Sequence, residues 1–349
     1  MEFTTTEETL RFRSPLAGMA LVEQRIQRRQ DPLLGHWAVG SSGMVGKAQF
    51  VFNPFDREHM TALAARTERT CLFCPQRVEQ VTPRYPDELI PGGCMRRGEC
   101  FLFPNLFPVA PVHAVVALGG QHYRELPDFP ATLLADGLAL AIDFARRYRA
   151  AVPTPRFFSV SGNYLPPAGA SQVHPHVQVL GGRHPATAVE RLRQASLRWR
   201  EEHGAPYFEQ LLAHEEAAGE RWVGRSGESA WLTAFAPLGA MEVLGVLPGV
   251  GHLVEVGEQA VADLARGLSA ALAHYGRLGL STFNFSLFSD ACDGEPGTFP
   301  VFLRLICRQN VAPDYRADDY FVQRLLGEEL MVTLPEDLAE GMRTHWELA

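Results

Sequence analysis

Residues 171–179 read Ser171-Gln172-Val173-His174-Pro175-His176-Val177-Gln178-Val179. Alternate side chains of an extended segment share a face. A strand over Val173 to Leu180 therefore projects His174, His176 and Gln178 together and turns Pro175, Val177 and Val179 to an apolar side. Two imidazoles about 6–7 Å apart along a strand are too distant to serve each other as nucleophile and base. They suit separate tasks, one anchoring and one reacting.

Working outward, Phe157 to Ser161 reads as a neighbouring strand, joined through a Pro/Gly loop that ends at Ala170. A helix is expected over Ala131 to Ala150, with Leu134, Leu138, Ala141, Ala145 and Tyr148 as its apolar stripe. Upstream, His36 to Val39, Gln49 to Phe52, Glu99 to Phe103 and His113 to Leu118 read as short strands between Gly and Pro breaks. Downstream, a charged helix is expected from about Ala186 to Glu202. Residues 1–30 are polar without sustained periodicity and read as an extended arm before Asp31-Pro32.

A shift of 127 residues lays this pattern on the second half of the chain. Val261, Leu268, Leu272 and Tyr275 repeat the stripe as counterparts of Leu134, Ala141, Ala145 and Tyr148, and Phe158-Ser159 maps to Phe285-Ser286. The fold expected is α+β, a duplicated module in which helices pack on an antiparallel sheet. At the same shift His174, His176 and Gln178 become Val301, Leu303 and Leu305, so the polar face is expected to be aliphatic in the second copy.

The 349 residues include 46% hydrophobic ones, enough for more than one compact unit. The net charge of −8 argues against a nucleic-acid binder or a polybasic membrane-surface protein. No signal peptide or membrane span is apparent, since the longest apolar stretch, Ala131 to Ala145, is interrupted by Asp136 and Asp143. A cytoplasmic protein is expected, with no nucleic-acid or membrane partner.

Cys71-Leu72-Phe73-Cys74 is the single C-x-x-C of the chain. Redox use needs a helix starting at the motif, whereas Pro75 to Pro83 reads as loop, so a metal site is the better reading. A closed tetrahedral zinc site needs two further ligands, for which His122 and His174 are candidates and His113, Cys94 and Cys100 compete. Asn105, inside Phe103-Pro104-Asn105-Leu106-Phe107-Pro108, could read a ligand. Gly169 and Ser171 stand where backbone N–H groups and a hydroxyl could hold phosphate oxygens. No Walker motif, G-x-G-x-x-G or G-x-S-x-G is present.

Together these segments resemble the galactose-1-phosphate uridylyltransferase family of the histidine-triad superfamily, nucleotidyltransferases and phosphorylases built from two histidine-triad folds. The resemblance runs over about residues 30 to 335 through Asp31-Pro32, Cys71-x-x-Cys74-Pro75, Phe103 to Pro108, His122 and Ser171 to Gln178. It implies a first repeat over 31–203 and a degenerate second one over 204–349. It further implies that His176 is the nucleophile carrying a covalent nucleotidyl group, with Gln178 bonding a phosphoryl oxygen. Cys71, Cys74, His122 and His174 are implied as zinc ligands, and Asn105, Asn163, Gly169 and Ser171 as substrate contacts. The implied substrates are a nucleotide sugar with a sugar-1-phosphate or phosphate, and the implied assembly is a homodimer.

The resemblance stops short in two places. Phe299 to Cys307 reads FPVFLRLIC, without the histidines of a second metal site, and Tyr320 to Leu338 gives no match to galactose-binding residues. The expected activity is hexose-1-phosphate uridylyltransferase-like, by a ping-pong route. Its alternatives are a nucleoside-diphosphate-sugar or dinucleoside-polyphosphate phosphorylase and a zinc-stabilised nucleotide-binding protein without turnover.

Overall fold

Val160 and Leu287, 127 residues apart, face each other across the centre of a ten-stranded antiparallel sheet. The computed structural model describes residues 1–46, 51–294 and 298–346. The first half of the large sheet comes from β4 (Met95–Arg97), β5 (Cys100–Pro104), β6 (Val112–Ala117), β7 (Phe157–Tyr164) and β8 (His176–Gly182). The second comes from β9 (Trp222–Ser226), β10 (Ser229–Thr233), β11 (Val243–Leu247), β12 (Phe283–Phe288) and β13 (Val301–Cys307). Their order, β4-β5-β6-β8-β7-β12-β13-β11-β10-β9, is a palindrome about the β7–β12 seam. The repeat is therefore a pseudo-twofold axis through the Val160/Leu287 pair.

The remaining strands, β1 (Thr4–Ser14), β2 (Ala20–Gln30), β3 (Trp37–Ser41) and β14 (Glu329–Leu330), form a second sheet of four. The N-terminal arm is thus a long β-hairpin. β1 faces solvent on both sides along most of its length and β2 is mostly half-buried rather than buried on one face, so neither needs the apolar alternation by which a strand is read. Of the expected strand Gln49 to Phe52, Gln49 and Phe50 lie outside the described residues, and Val51 and Phe52 form a turn.

The helices are α1 (Arg57–Glu68), α2 (Pro75–Val81), α3 (Ala131–Ala151), α4 (Thr187–His203), α5 (Tyr207–Ala218), α6 (Glu258–Arg277) and α7 (Pro335–Trp346). No helix among the described residues is long and apolar enough to cross a membrane. One face of the large sheet is covered by α3, α6 and α7, and Leu138, Ala141, Leu268 and Leu272 join Val160, Val179, Leu287 and Leu303 in the main core. Contact between α6 and the sheet needs a glycine, since a Cβ at Gly267 would lie 2.1 Å from the Trp231 ring. On the other face α4 and α5 cover the second half, where Leu192, Phe208 and Leu212 bury Leu232, Leu244 and Phe302. That face of the first half carries Phe101, Phe103, Val115 and Ala117 packed under Val78 of α2, and beside them the polar side chains.

Two expectations are corrected by the register. The strand expected over Val173 to Leu180 starts at His176, with His174 in a bend before Pro175, whose missing N–H ends the ladder there. The 127-residue shift also fails beyond β12. Val160 pairs with Val179 in the first half and Leu287 with Leu303 in the second, so β8 maps on β13 with a shift of 124. An odd slip exchanges the faces of a strand. Val301, Leu303 and Leu305 are accordingly core residues on the helical side, whereas His176 and Gln178 correspond to Pro300 and Phe302.

Candidate active site and metal centre

The α1 helix ends at Glu68, and the chain turns through Cys71 and Cys74 into α2, for which Cys74 is the N-cap and Pro75 the first residue. Proline suits this position because its fixed φ is helical and the missing N–H has no partner there anyway. A helix thus stands where a loop was expected. It does not revive a redox reading, because burial, and next the neighbouring Cys71, push the Cys74 thiol up to about 12. A redox cysteine needs the opposite shift.

Both thiols are buried and face two buried imidazoles. Among the described residues Cys71, Cys74, His122 and His174 form a group whose ligating atoms all lie within 4.8 Å of one another. Nδ1 of His122 is 3.5 Å and Nδ1 of His174 is 3.6 Å from Cys74 Sγ. Nε2 of His174 lies 2.9 Å from the carbonyl of Gly119, and Nε2 of His122 2.9 Å from Thr67 Oγ1. Donation to the Gly119 carbonyl places the His174 proton on Nε2 and leaves the Nδ1 lone pair directed at the sulfurs, as metal-binding histidines are oriented. Gly119 is at φ +73°, which favours glycine. Burial pulls His174 down to about 4 and lowers His122 as well, so both rings are neutral at pH 7. Two thiols and two neutral imidazoles, with no fifth His, Cys, Asp or Glu in the group among the described residues, fit a closed tetrahedral zinc site. Of the competing donors, Cys94 meets Arg84, Cys100 the Leu133 carbonyl, and His113 joins another group.

Two residues beyond His174, His176 opens β8. Its Nδ1 is 2.9 Å from the carbonyl of His174, which places the proton on Nδ1 and the lone pair on Nε2. Burial lowers its pKa against the opposing pull of that carbonyl, favouring the neutral ring. The Phe73 ring, from the middle of C-x-x-C, stands edge-on 5.2 Å from it. Gln178 follows on the same face, where Ser161 of β7 is its direct neighbour, with Asn163 two residues further along β7 on that face. Asn163 Oδ1 accepts a 2.7 Å hydrogen bond from Asn284 Nδ2, and Asn284 Oδ1 accepts from Arg308. The second half therefore supports this side chain across the seam.

Asn105 follows β5, and its amide nitrogen lies 3.4 Å from Gln178 Oε1. The residue that sequence reading misplaced is His113, whose Nε2 is 2.7 Å from the same oxygen. Its signal was a polar residue on the alternate face of β6, diagonal to Gln178 across the ladder. Ser171 is exposed in the loop before β8. Gly169, at φ +89°, donates its N–H to the Pro166 carbonyl at 2.9 Å, so that N–H is committed to its own turn rather than offered to phosphate. The strained position in this loop is Leu165, fully buried at φ +68°.

No family model matches the chain. A protein of Archaeoglobus fulgidus described only as uncharacterized is 29% identical over 347 residues, 99% of each chain. An ADP-glucose phosphorylase from Arabidopsis thaliana, solved with bound ADP-glucose, superposes with a TM-score of 0.68 at 18% identity, over 91% of this chain and 98% of that one. A GalT-like protein of Arabidopsis thaliana gives 0.65 at 18% identity over 90% and 98%, and a uridylyltransferase 0.65 at 18% identity over 92% and 99%. At these identities the likeness is one of fold. The chain is thus an α+β protein with the duplicated fold shared by the ADP-glucose phosphorylase, the GalT-like protein and the uridylyltransferase.

Proposed function

We propose that the protein is a nucleotidyltransferase or phosphorylase that takes the nucleotidyl group of a nucleoside diphosphate sugar onto His176. The observation that carries this reading is the neutral His176 ring, with Nδ1 bonded to the His174 carbonyl and Nε2 free to attack, one alternation from Gln178 on the face that α4 and α5 leave open. Nε2 bonds to the α-phosphorus, and the bond from that phosphorus to the bridging oxygen breaks, releasing sugar-1-phosphate. The positive charge formed on the ring is shared with Nδ1–H, which the His174 carbonyl stabilises. An oxygen of the acceptor then forms a bond to phosphorus and the P–N bond breaks, returning His176 to the neutral form.

Throughout, Gln178 supplies an amide donor to the phosphoryl oxygens where charge develops. Asn105 and Asn163 flank it as nucleotide or phosphate contacts, and Ser171 lies in the loop leading to the nucleophile. Cys71, Cys74, His122 and His174 would hold zinc, which with four protein ligands supplies a rigid cross-link rather than an activated water. Fixing His174 fixes the carbonyl that orients His176.

The acceptor decides between a sugar-1-phosphate, giving a uridylyltransferase-like exchange, and inorganic phosphate, giving a phosphorylase. The test is intact-protein mass spectrometry after incubation with UDP-, GDP-, ADP-, CDP- and dTDP-sugars. A nucleotidyl mass gain is expected in the wild type and not in His176→Ala, with a loss in initial rate of at least about a thousandfold. Chase with sugar-1-phosphate or phosphate then identifies the acceptor. Folded, metal-loaded protein that forms no adduct with any donor overturns the transferase reading and leaves a nucleotide-binding protein.

A further inference from the structure

We propose that His113 is a positioning residue which holds the Gln178 side chain with its oxygen turned inward and its NH2 group turned toward the phosphoryl oxygens. The proposal rests on the transferase reading for its chemistry, but its geometry stands apart from it. The backbone N–H of Val109 donates to His113 Nδ1 at 3.1 Å. A ring nitrogen that accepts carries the lone pair, so in the neutral ring the hydrogen is on Nε2. That nitrogen is 2.7 Å from Gln178 Oε1.

Asn105 adds a second constraint. Its Oδ1 accepts the N–H of Phe107 at 2.9 Å, which turns its NH2 group toward Gln178 Oε1 at 3.4 Å. The 3.0 Å approach of Asn105 Nδ2 to His113 Nε2 brings two donors together, and a shared acceptor accounts for it. Flipping the Gln178 amide would set its NH2 group against both. With Oε1 engaged, both Gln178 N–H bonds remain for a ligand.

This orientation originates in the backbone of the loop over residues 105–111, where Phe107 and Val109 are 79% and 80% exposed. The pseudo-twofold supplies an independent observation. Asn105, His113 and Gln178 occupy the registers of Leu232, Leu244 and Phe302, which meet in one apolar cluster. The three polar residues are present as a set in one half and replaced as a set in the other, as expected of groups that work through one another.

The test compares the rate of nucleotidylation at saturating nucleotide sugar with the dissociation constant of that donor. His113→Phe is expected to slow nucleotidylation about 10- to 100-fold while changing the dissociation constant by less than about threefold. His113→Gln, which returns a donor to the Nε2 position, is expected to recover most of the rate. In a Gln178→Ala background His113→Phe should add less than about twofold, since the group it orients is gone. Equal losses in both backgrounds, or no recovery with Gln, would show a merely structural residue and overturn the proposal.

A long-range proton–nitrogen correlation spectrum, with His113→Phe identifying the signal, reads the tautomer directly. Hydrogen on Nε2 supports the proposal, and hydrogen on Nδ1 overturns it, whether or not the wild type forms an adduct. Absence of adduct alone therefore falls on the transferase reading, not on the arrangement of His113 and Gln178.

Discussion

The two halves of the large sheet present the same face to opposite fates. In the first, Asn105, His113 and Gln178 form a hydrogen-bonded set beside His176, and that face carries no α4–α5 layer. In the second, Leu232, Leu244 and Phe302 take their registers, Pro300 replaces His176, and α5 lies on top with the Phe208 ring 5.0 Å from Phe302. Backbone pairing is conserved while the side chains differ completely. The ladder thus determines where a site can be, and only the side chains and the covering layer determine whether it exists.

The metal centre gives the largest handle on this contrast. Cys74→Ser is expected to reduce bound zinc well below one per chain and to destabilise by about 5 kcal/mol, since metal binding and folding are coupled. Cys307→Ala, a fully buried thiol on β13 of the second half, should cost only about 1–2 kcal/mol and leave the metal content unchanged. Metal analysis and melting with and without chelator check both. Equal losses would mean that the first half has no special dependence on its cluster.

A smaller effect comes from exchanging the side chains themselves. Phe302→Gln places an amide among the Phe208 and Phe288 rings and is expected to cost about 3–4 kcal/mol. Gln178→Phe, on the half-buried face, should remain within about 1 kcal/mol of the wild type while removing activity. Denaturant titration of the pair distinguishes a fully covered position from a half-buried one, and similar losses would erase the distinction.

The smallest effect lies in pH. His274 on α6 is buried, and burial, reinforced by Arg277 and His345, pulls it down to about 4 from an ordinary 6.5. The unfolded chain takes up this proton first as pH falls. Stability from the neutral ring is therefore complete above about 6.5 and lost on descent toward 4, a change of about 3 kcal/mol. His274→Phe should flatten the stability curve in that window, measured by denaturant midpoints across pH, and an unchanged slope would remove His274 as its cause.

What sequence made legible followed from which side chains had one strong environment. The stripe of α3 and its repeat in α6 were clear because each helix buries one face, and the C-x-x-C thiols stood out by chemistry. The polar face of β8 was read correctly at His176 and Gln178. Its aliphatic counterpart was misplaced because a shift valid for helices and β12 was carried across a turn three residues shorter. The β1–β2 hairpin left no apolar pattern, and α2 was hidden by the proline that in fact starts it. His113 drew attention as a metal donor because a lone histidine gives no direction, and only the fold brings Val109 and Gln178 to its two nitrogens.

The β7–β12 seam also sets a timetable for synthesis. β7 lies at the middle of the finished sheet, yet its partner strand begins at Phe283, more than a hundred residues after β7 ends. At about 5–20 residues per second the ribosome needs roughly 6–25 s to deliver it. During that interval the nascent first half carries the Cys71–His174 cluster and His176 but holds a bare strand edge, the kind that invites pairing with another chain. A strand at the centre of the folded sheet is thus, at birth, an open edge.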